Sequence, residues 1–170
     1  EILRGGTVVL NADDARSAGL AQRAAVRDRN PVIRFFSLSA SSPAVMAHRM
    51  SGGIACLLRD GQLIEARGGE ETVLLHVDEL PGSFGGAAAH LLANALAAAA
   101  ACRALGVSVK DIRRGFATFT PAEANPGRGN VYQVGGVPVV VDYGHNPAAL
   151  GSMGRLLHQA WTGQPIAAIT

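Results

Sequence analysis

The stretch Val139–Leu150, VVVDYGHNPAAL, decides the fold. Its apolar run, Pro138 to Val141, stops at Asp142; residues of mixed polarity then lead to Pro147 and the helix-compatible Ala148-Ala149-Leu150. A short β-branched run without alternation fits a strand buried on both faces, as in a parallel sheet. Pro147 suits the first turn of a helix, where its missing N–H costs nothing, and Asn146 is a good cap just before it. Asp142, Tyr143, Gly144 and His145 then fall on a strand-to-helix loop at the carboxyl end of a strand, where open α/β sheets bind ligands. A carboxylate at Asp142 can accept hydrogen bonds from two ribose hydroxyls or hold a metal through water. It can equally cap the following helix. His145 alone reads as an ordinary loop histidine.

Around this stretch, NPGRGNVYQVGGVPVVVDYGHNP (Asn125–Pro147) reads as a turn, a hairpin across Gly135-Gly136 and the opening strand. Pro121–Pro126, with two prolines and no hydrophobic periodicity, reads as a linker, and Arg128 sits on the turn that follows. Ala87–Leu105 is an alanine-rich helix closed by Gly106, and Ser108 caps a short second helix, Val109–Gly115. Asn94 stands inside the long helix at a cost of several tenths of a kcal/mol in propensity. Its amide can bond a nearby backbone group, or it can be offered to a purine, whose adjacent donor and acceptor match its own.

Further upstream, Thr7–Leu10 is a short buried strand ending in Asn11-Ala12-Asp13-Asp14, before a helix expected over Ala15–Arg27. The acidic pair complements that helix's dipole and caps free N–H groups; a second carboxylate could also approach a metal or an amine. Val32–Leu38 is a second strand, and Pro43–Met50 can make one or two helical turns. Ile54–Leu58, Gln62–Ala66 and Val73–Val77 form an antiparallel group turning first at Asp60-Gly61. His48 and His76 read as surface or packing residues. At the other end, Leu150–Trp161 is an amphipathic helix and Pro165–Ile169 begins another strand.

Bulk composition removes several classes of function. The formal net charge is +2 with no basic run, which gives no electrostatic footprint for nucleic acid. Leu91–Ala101 is too short and too weakly apolar to span a membrane. Cys56 and Cys102 lie far apart in apolar segments, as reduced buried thiols do, and no histidines cluster with them as a zinc site. No signal layout opens the chain, so a cytoplasmic location is expected.

Three strings carry a family resemblance. DYGHNPAAL (Asp142–Leu150) resembles the DYAHNP segment that opens the C-terminal domain of the Mur ligase superfamily, ATP-dependent amide-forming enzymes. GGAAAHLLANALAAAAA (Gly85–Ala101) resembles the superfamily pattern of a glycine pair, His-Asn and Asn-Ala-Leu-Ala-Ala. NPGR (Asn125–Arg128) resembles the arginine segment at the domain junction. LNADD (Leu10–Asp14) is similar to the strand-end motif of the central domain. Within the superfamily the pattern fits the Mur-ligase-like half of the cyanophycin synthetase family in particular.

The resemblance implies an α/β fold: the end of the P-loop ATPase-like central domain (residues 1–121), then the start of a Rossmann-like C-terminal domain (residues 122–170). It implies ATP binding by Asn94 at adenine, Asp142 at ribose and Arg128 closing over the nucleotide. It places His90 and His145 among the ATP-binding residues as well, and Asn11, Asp13 and Asp14 would line the same cleft. Leu91 departs, since the family commonly has asparagine there, and this removes one polar contact. The implied partners are ATP with Mg2+, an amino acid and a peptide or polymer substrate, with a homo-oligomer left open and neither nucleic acid nor membrane. The implied activity is acid–amino-acid ligation, with arginine added to a poly-aspartate backbone.

The only lysine is Lys110, and no glycine-rich loop leads to it, so the sequence holds no phosphate-gripping P-loop. By resemblance that loop, the catalytic glutamate and the metal ligands lie upstream of Glu1. No catalytic residue and no metal ligand is therefore expected within the chain. The alternatives are a peptidoglycan-precursor ligase, a folylpolyglutamate synthase, or a non-catalytic adenosine-binding piece. An ordinary dinucleotide-binding protein is disfavoured, because no G-x-G-x-x-G follows a strand.

Overall fold

A computed structural model describes residues 2–167. The chain is α/β, built on a mixed five-stranded sheet of order β1-β2-β3-β4-β5. Strands β1 (Thr7–Asn11), β2 (Val32–Ser37) and β3 (Ile54–Arg59) run parallel; β4 (Gln62–Arg67) and β5 (Glu70–His76) continue antiparallel. The switch occurs at Asp60-Gly61, where both residues take positive φ as a tight hairpin requires.

Helices cover both faces. Along β3 the side chains alternate, Cys56 toward one face and Ala55 and Leu57 toward the other. On the first face lies α4 (Ala89–Ala104), which buries Leu92, Ala95, Leu96 and Ala99 against Cys56, Leu63, Leu74 and Leu75. Its opposite side, with Asn94 and Ala98, stays open, so the helix is not packed all round as its alanines allowed. The second face packs Val45 of α3 (Pro43–Met50) against Leu10, Phe35, Leu57 and Ile64. Helix α5 (Val109–Ala117) guards the β5 edge, where the Arg113 guanidinium donates to the carbonyls of Leu74 and Val73.

The crossover from β1 to β2 differs from expectation. One helix over Ala15–Arg27 is replaced by α1 (Ala15–Gly19), a 3-10 turn at Leu20–Gln22 and α2 (Ala24–Arg27). Arg23 is extended, with ψ 136, and only Val26 of the two helices is buried. A segment with so little apolar stripe gains too little from packing to hold one continuous helix.

The loop Pro121–Pro126, expected as a linker, contains one helical turn, α6 (Pro121–Ala124). Proline at its first position has the helical φ preset, and Glu123 and Ala124 both donate to the Thr120 carbonyl. Beyond it, β6 (Asn130–Val134) and β7 (Val137–Val141) pair as an antiparallel hairpin across Gly135-Gly136. β7 is therefore not a strand buried on both faces: Val137 is 61% exposed and Val141 44%. Its one partner is the hairpin mate, and among the described residues no strand covers its other edge. Helix α7 (Pro147–Ala160) follows, burying Leu156, and packs toward α4; Trp161 sets its ring edge-on to Phe84 at 5.7 Å. Pro165–Ala167 forms no strand, and the rest of the strand expected over Pro165–Ile169 lies outside the described residues.

Candidate functional site

Between α4, the turn Asn125–Asn130 and the loop after β7 lies a cleft of about 470 Å³. Its walls bring together His90 and Asn94 from α4, Arg128 from the turn, and Asp142 and His145 from the loop. These five residues come from three separated stretches of sequence, and each belongs to one of the matched strings.

Local chemistry explains how each wall is held. Asn146 caps α7, its side-chain oxygen accepting from the Ala149 N–H at 2.9 Å, and Pro147 occupies the first turn. The cap role is thereby filled, and Asp142 makes no hydrogen bond to that helix start. Asp142 is half-buried at the strand end and is one of the residues lining the cleft. Asn94 is exposed on α4, about one turn beyond His90, so both share the helix face that looks into the cleft. His145 sits at the rim, its Nδ1 3.2 Å from the Tyr143 carbonyl.

Arg128 hangs over the cleft from a pinned turn. Gly127 and Gly129 on either side of it take φ of +75 and +63, conformations that other residues rarely adopt. Asn130, fully buried, accepts from the Gly127 N–H and donates to the Asn125 carbonyl at 3.3 Å. The Arg128 guanidinium carbon stands 4.9 Å from the centre of the Tyr143 ring. Sequence reasoning gave no role to Tyr143 or Asn130. A tyrosine one residue after the anchoring aspartate was the available signal for the first; nothing local signalled the second.

Asn11, Asp13 and Asp14 are placed elsewhere. The Asn11 side chain accepts from the Asp13 N–H, and Asp14 caps α1 by accepting from Ser17 N–H at 2.6 Å. Asp13 accepts from the Ser37 hydroxyl and from the Leu38 N–H, tying the ends of β1 and β2 together. None of the three lines the cleft.

A second cavity of about 420 Å³ adjoins the first, walled by apolar side chains of α4 and α5 such as Ala95, Ile112 and Phe116. The two share Leu91, Asn94, Asn125 and Arg128. Leu91 thus contributes an apolar wall to both cavities. The combined space has an apolar side, an amide, a guanidinium and a carboxylate. That set can bind a flat heterocycle carrying hydroxyls and negative charge.

No protein-family model matches the chain. Similarity to characterised proteins is nevertheless extensive. The chain is 33% identical over 165 residues to the cyanophycin synthetase of Nostoc sp., covering 96% of the chain and 18% of that protein. It is 34% identical over 160 residues to the cyanophycin synthetase of Synechocystis sp., covering 94% of the chain and 18% of the relative. Over 78 residues, 46% of the chain and 16% of the relative, it is 40% identical to a UDP-N-acetylmuramate–L-alanine ligase of Cereibacter sphaeroides. The chain thus spans less than a fifth of the length of the curated relatives it matches.

Proposed function

Because the chain is Mur-ligase-like, related to both cyanophycin synthetases and a UDP-N-acetylmuramate–L-alanine ligase, we propose that its cleft is the nucleotide site of an ATP-dependent carbon–nitrogen ligase. The observation that carries this reading is the convergence of His90, Asn94, Arg128, Asp142 and His145 on one cleft. Asn94 offers its amide to adenine, Asp142 accepts the ribose hydroxyls, and Arg128 meets the phosphate side. In this reading residues 1–121 close a central ATPase-like domain and residues 122–170 open a Rossmann-like one.

The reaction joins an acid to an amine. A substrate carboxylate takes the γ-phosphoryl group, releasing ADP; the amine then attacks the acyl phosphate, forming the amide and releasing phosphate. Catalysis of this kind rests on positioning and on charge neutralisation around the transferring group. This chain's residues contribute the positioning of the nucleotide. Among the described residues no three His, Cys, Asp or Glu side chains converge as a metal site. In this reading Mg2+ enters as the partner of ATP, and no residue of this chain is assigned to it.

For the substrate, similarity over nearly the whole chain to cyanophycin synthetases supports arginine added to a poly-aspartate backbone. The 40% identity over 78 residues favours, as a second reading, a ligase of UDP-N-acetylmuramate and L-alanine. ATP-dependent phosphate release by the full-length protein, assayed with each acceptor and amine pair, separates them. Turnover with poly-aspartate and arginine is expected. Turnover with UDP-N-acetylmuramate and L-alanine alone would replace the first reading by the second.

A further inference from the structure

We infer that Tyr143 is a positioning residue: its ring holds the Arg128 guanidinium over the cleft, so that the nucleotide meets an arginine already in place. The inference rests on the reading of the cleft as a nucleotide site.

Four contacts carry it. The guanidinium carbon lies 4.9 Å from the ring centre, within the range where a cation is drawn to an aromatic face. The Tyr143 N–H donates to the Gly127 carbonyl at 2.8 Å, so the backbones of the turn and the loop are joined one residue from the arginine. Asn130 fastens the same turn from below through Gly127 and Asn125. Arg128 has no ion pair among the described residues, and its side chain is exposed. An exposed arginine loses considerable side-chain freedom when it binds a ligand. A ring that restricts it beforehand lowers that cost, which is how preorganisation raises affinity.

The ring could instead touch the nucleotide itself, and a double-mutant cycle distinguishes the two. ATP affinity is measured by titration calorimetry on the full-length protein and four variants: Arg128→Ala, Tyr143→Leu, Tyr143→Phe, and Arg128→Ala with Tyr143→Leu. Tyr143 is 63% exposed, so the leucine variant removes little packing. Tyr143→Leu should weaken ATP binding about three- to ten-fold, and Tyr143→Phe should restore it to within about two-fold, since the ring face is what the cation needs. In the Arg128→Ala background the leucine substitution should add nothing. A further loss in that background would overturn the inference, as would wild-type affinity in Tyr143→Leu. Wild-type affinity in Arg128→Ala would instead remove the nucleotide reading of the cleft, and this inference with it.

Discussion

Arg103 of α4 grips Glu65 of β4 with two donors on one carboxylate oxygen, Nε at 3.1 Å and Nη2 at 3.0 Å. Arg34 of β2 takes the other oxygen at 2.8 Å. The triad therefore fastens the helix that carries Asn94 and His90 to the sheet beneath it. Glu65 is 14% exposed and Arg34 12%.

Removing this carboxylate should be costly. Glu65→Ala leaves two guanidinium groups without their partner in a largely dry setting, and the Arg34 Nε already has none. A loss of about 2–4 kcal/mol is expected. Burial raises the Glu65 carboxyl, but the hydrogen bonds and charges of Arg103 and Arg34 outweigh it and hold the group below the usual range. The folded state therefore binds this proton less readily than the unfolded chain. Its stabilisation is complete above the unfolded value of about 4.3 and fades as pH falls through the lower folded value. Urea denaturation across that acid range checks this: Glu65→Gln should flatten the acid loss, and an unchanged slope would count against the triad.

Gly53 is fixed by a neighbour's ring. A Cβ there would collide with the His48 imidazole, whose Nε2 itself sits 3.1 Å from the Ile33 carbonyl. His48 also stands edge-on to Phe35 at 4.9 Å, so it is a packing residue with little room to retreat. Gly53→Ala should cost about 1–3 kcal/mol through overpacking. Thermal unfolding at wild-type temperature would show that the ring moves freely.

The two thiols should behave differently. Burial, then the charge of Glu65, push the Cys56 thiol up to about 12 against the opposing Arg34 and Arg103. Since the thiolate is the nucleophile, Cys56 should resist a small thiol reagent until the protein unfolds. Cys102 is half-buried and lines the apolar cavity, and it should be modified in the native state. Two equally fast thiols would contradict the buried placement of Cys56.

What the sequence made legible was mostly short-range chemistry. The Asn146 cap, the Gly135-Gly136 turn and the Ser108 cap each depend on residues within a few positions. The family strings also marked His90, Asn94, Arg128, Asp142 and His145, which the fold gathers in one cleft. Relationships across the fold were not legible. Nothing local to Glu65 names Arg34 and Arg103 as its partners, and nothing near Asn130 shows that its amide is buried under a turn. The exposure of Val137 and Val141 depends on which strands pair with β7, and hydrophobic runs do not carry that information. Asp13 and Asp14 were ambiguous because one carboxylate can cap a helix, tie strands or meet a ligand.

The central claim is that Asp142 binds nucleotide and does not support the fold. Asn146 already caps α7, so that helix start does not need the Asp142 carboxylate. Two ribose hydroxyls bonded to an ionised acceptor are worth roughly 1.5–3 kcal/mol each. ATP affinity and melting temperature measured together on Asp142→Ala of the full-length protein test this most directly. The account predicts binding weaker by about two to four orders of magnitude with the melting temperature nearly unchanged. A lowered melting temperature with normal ATP affinity would contradict it.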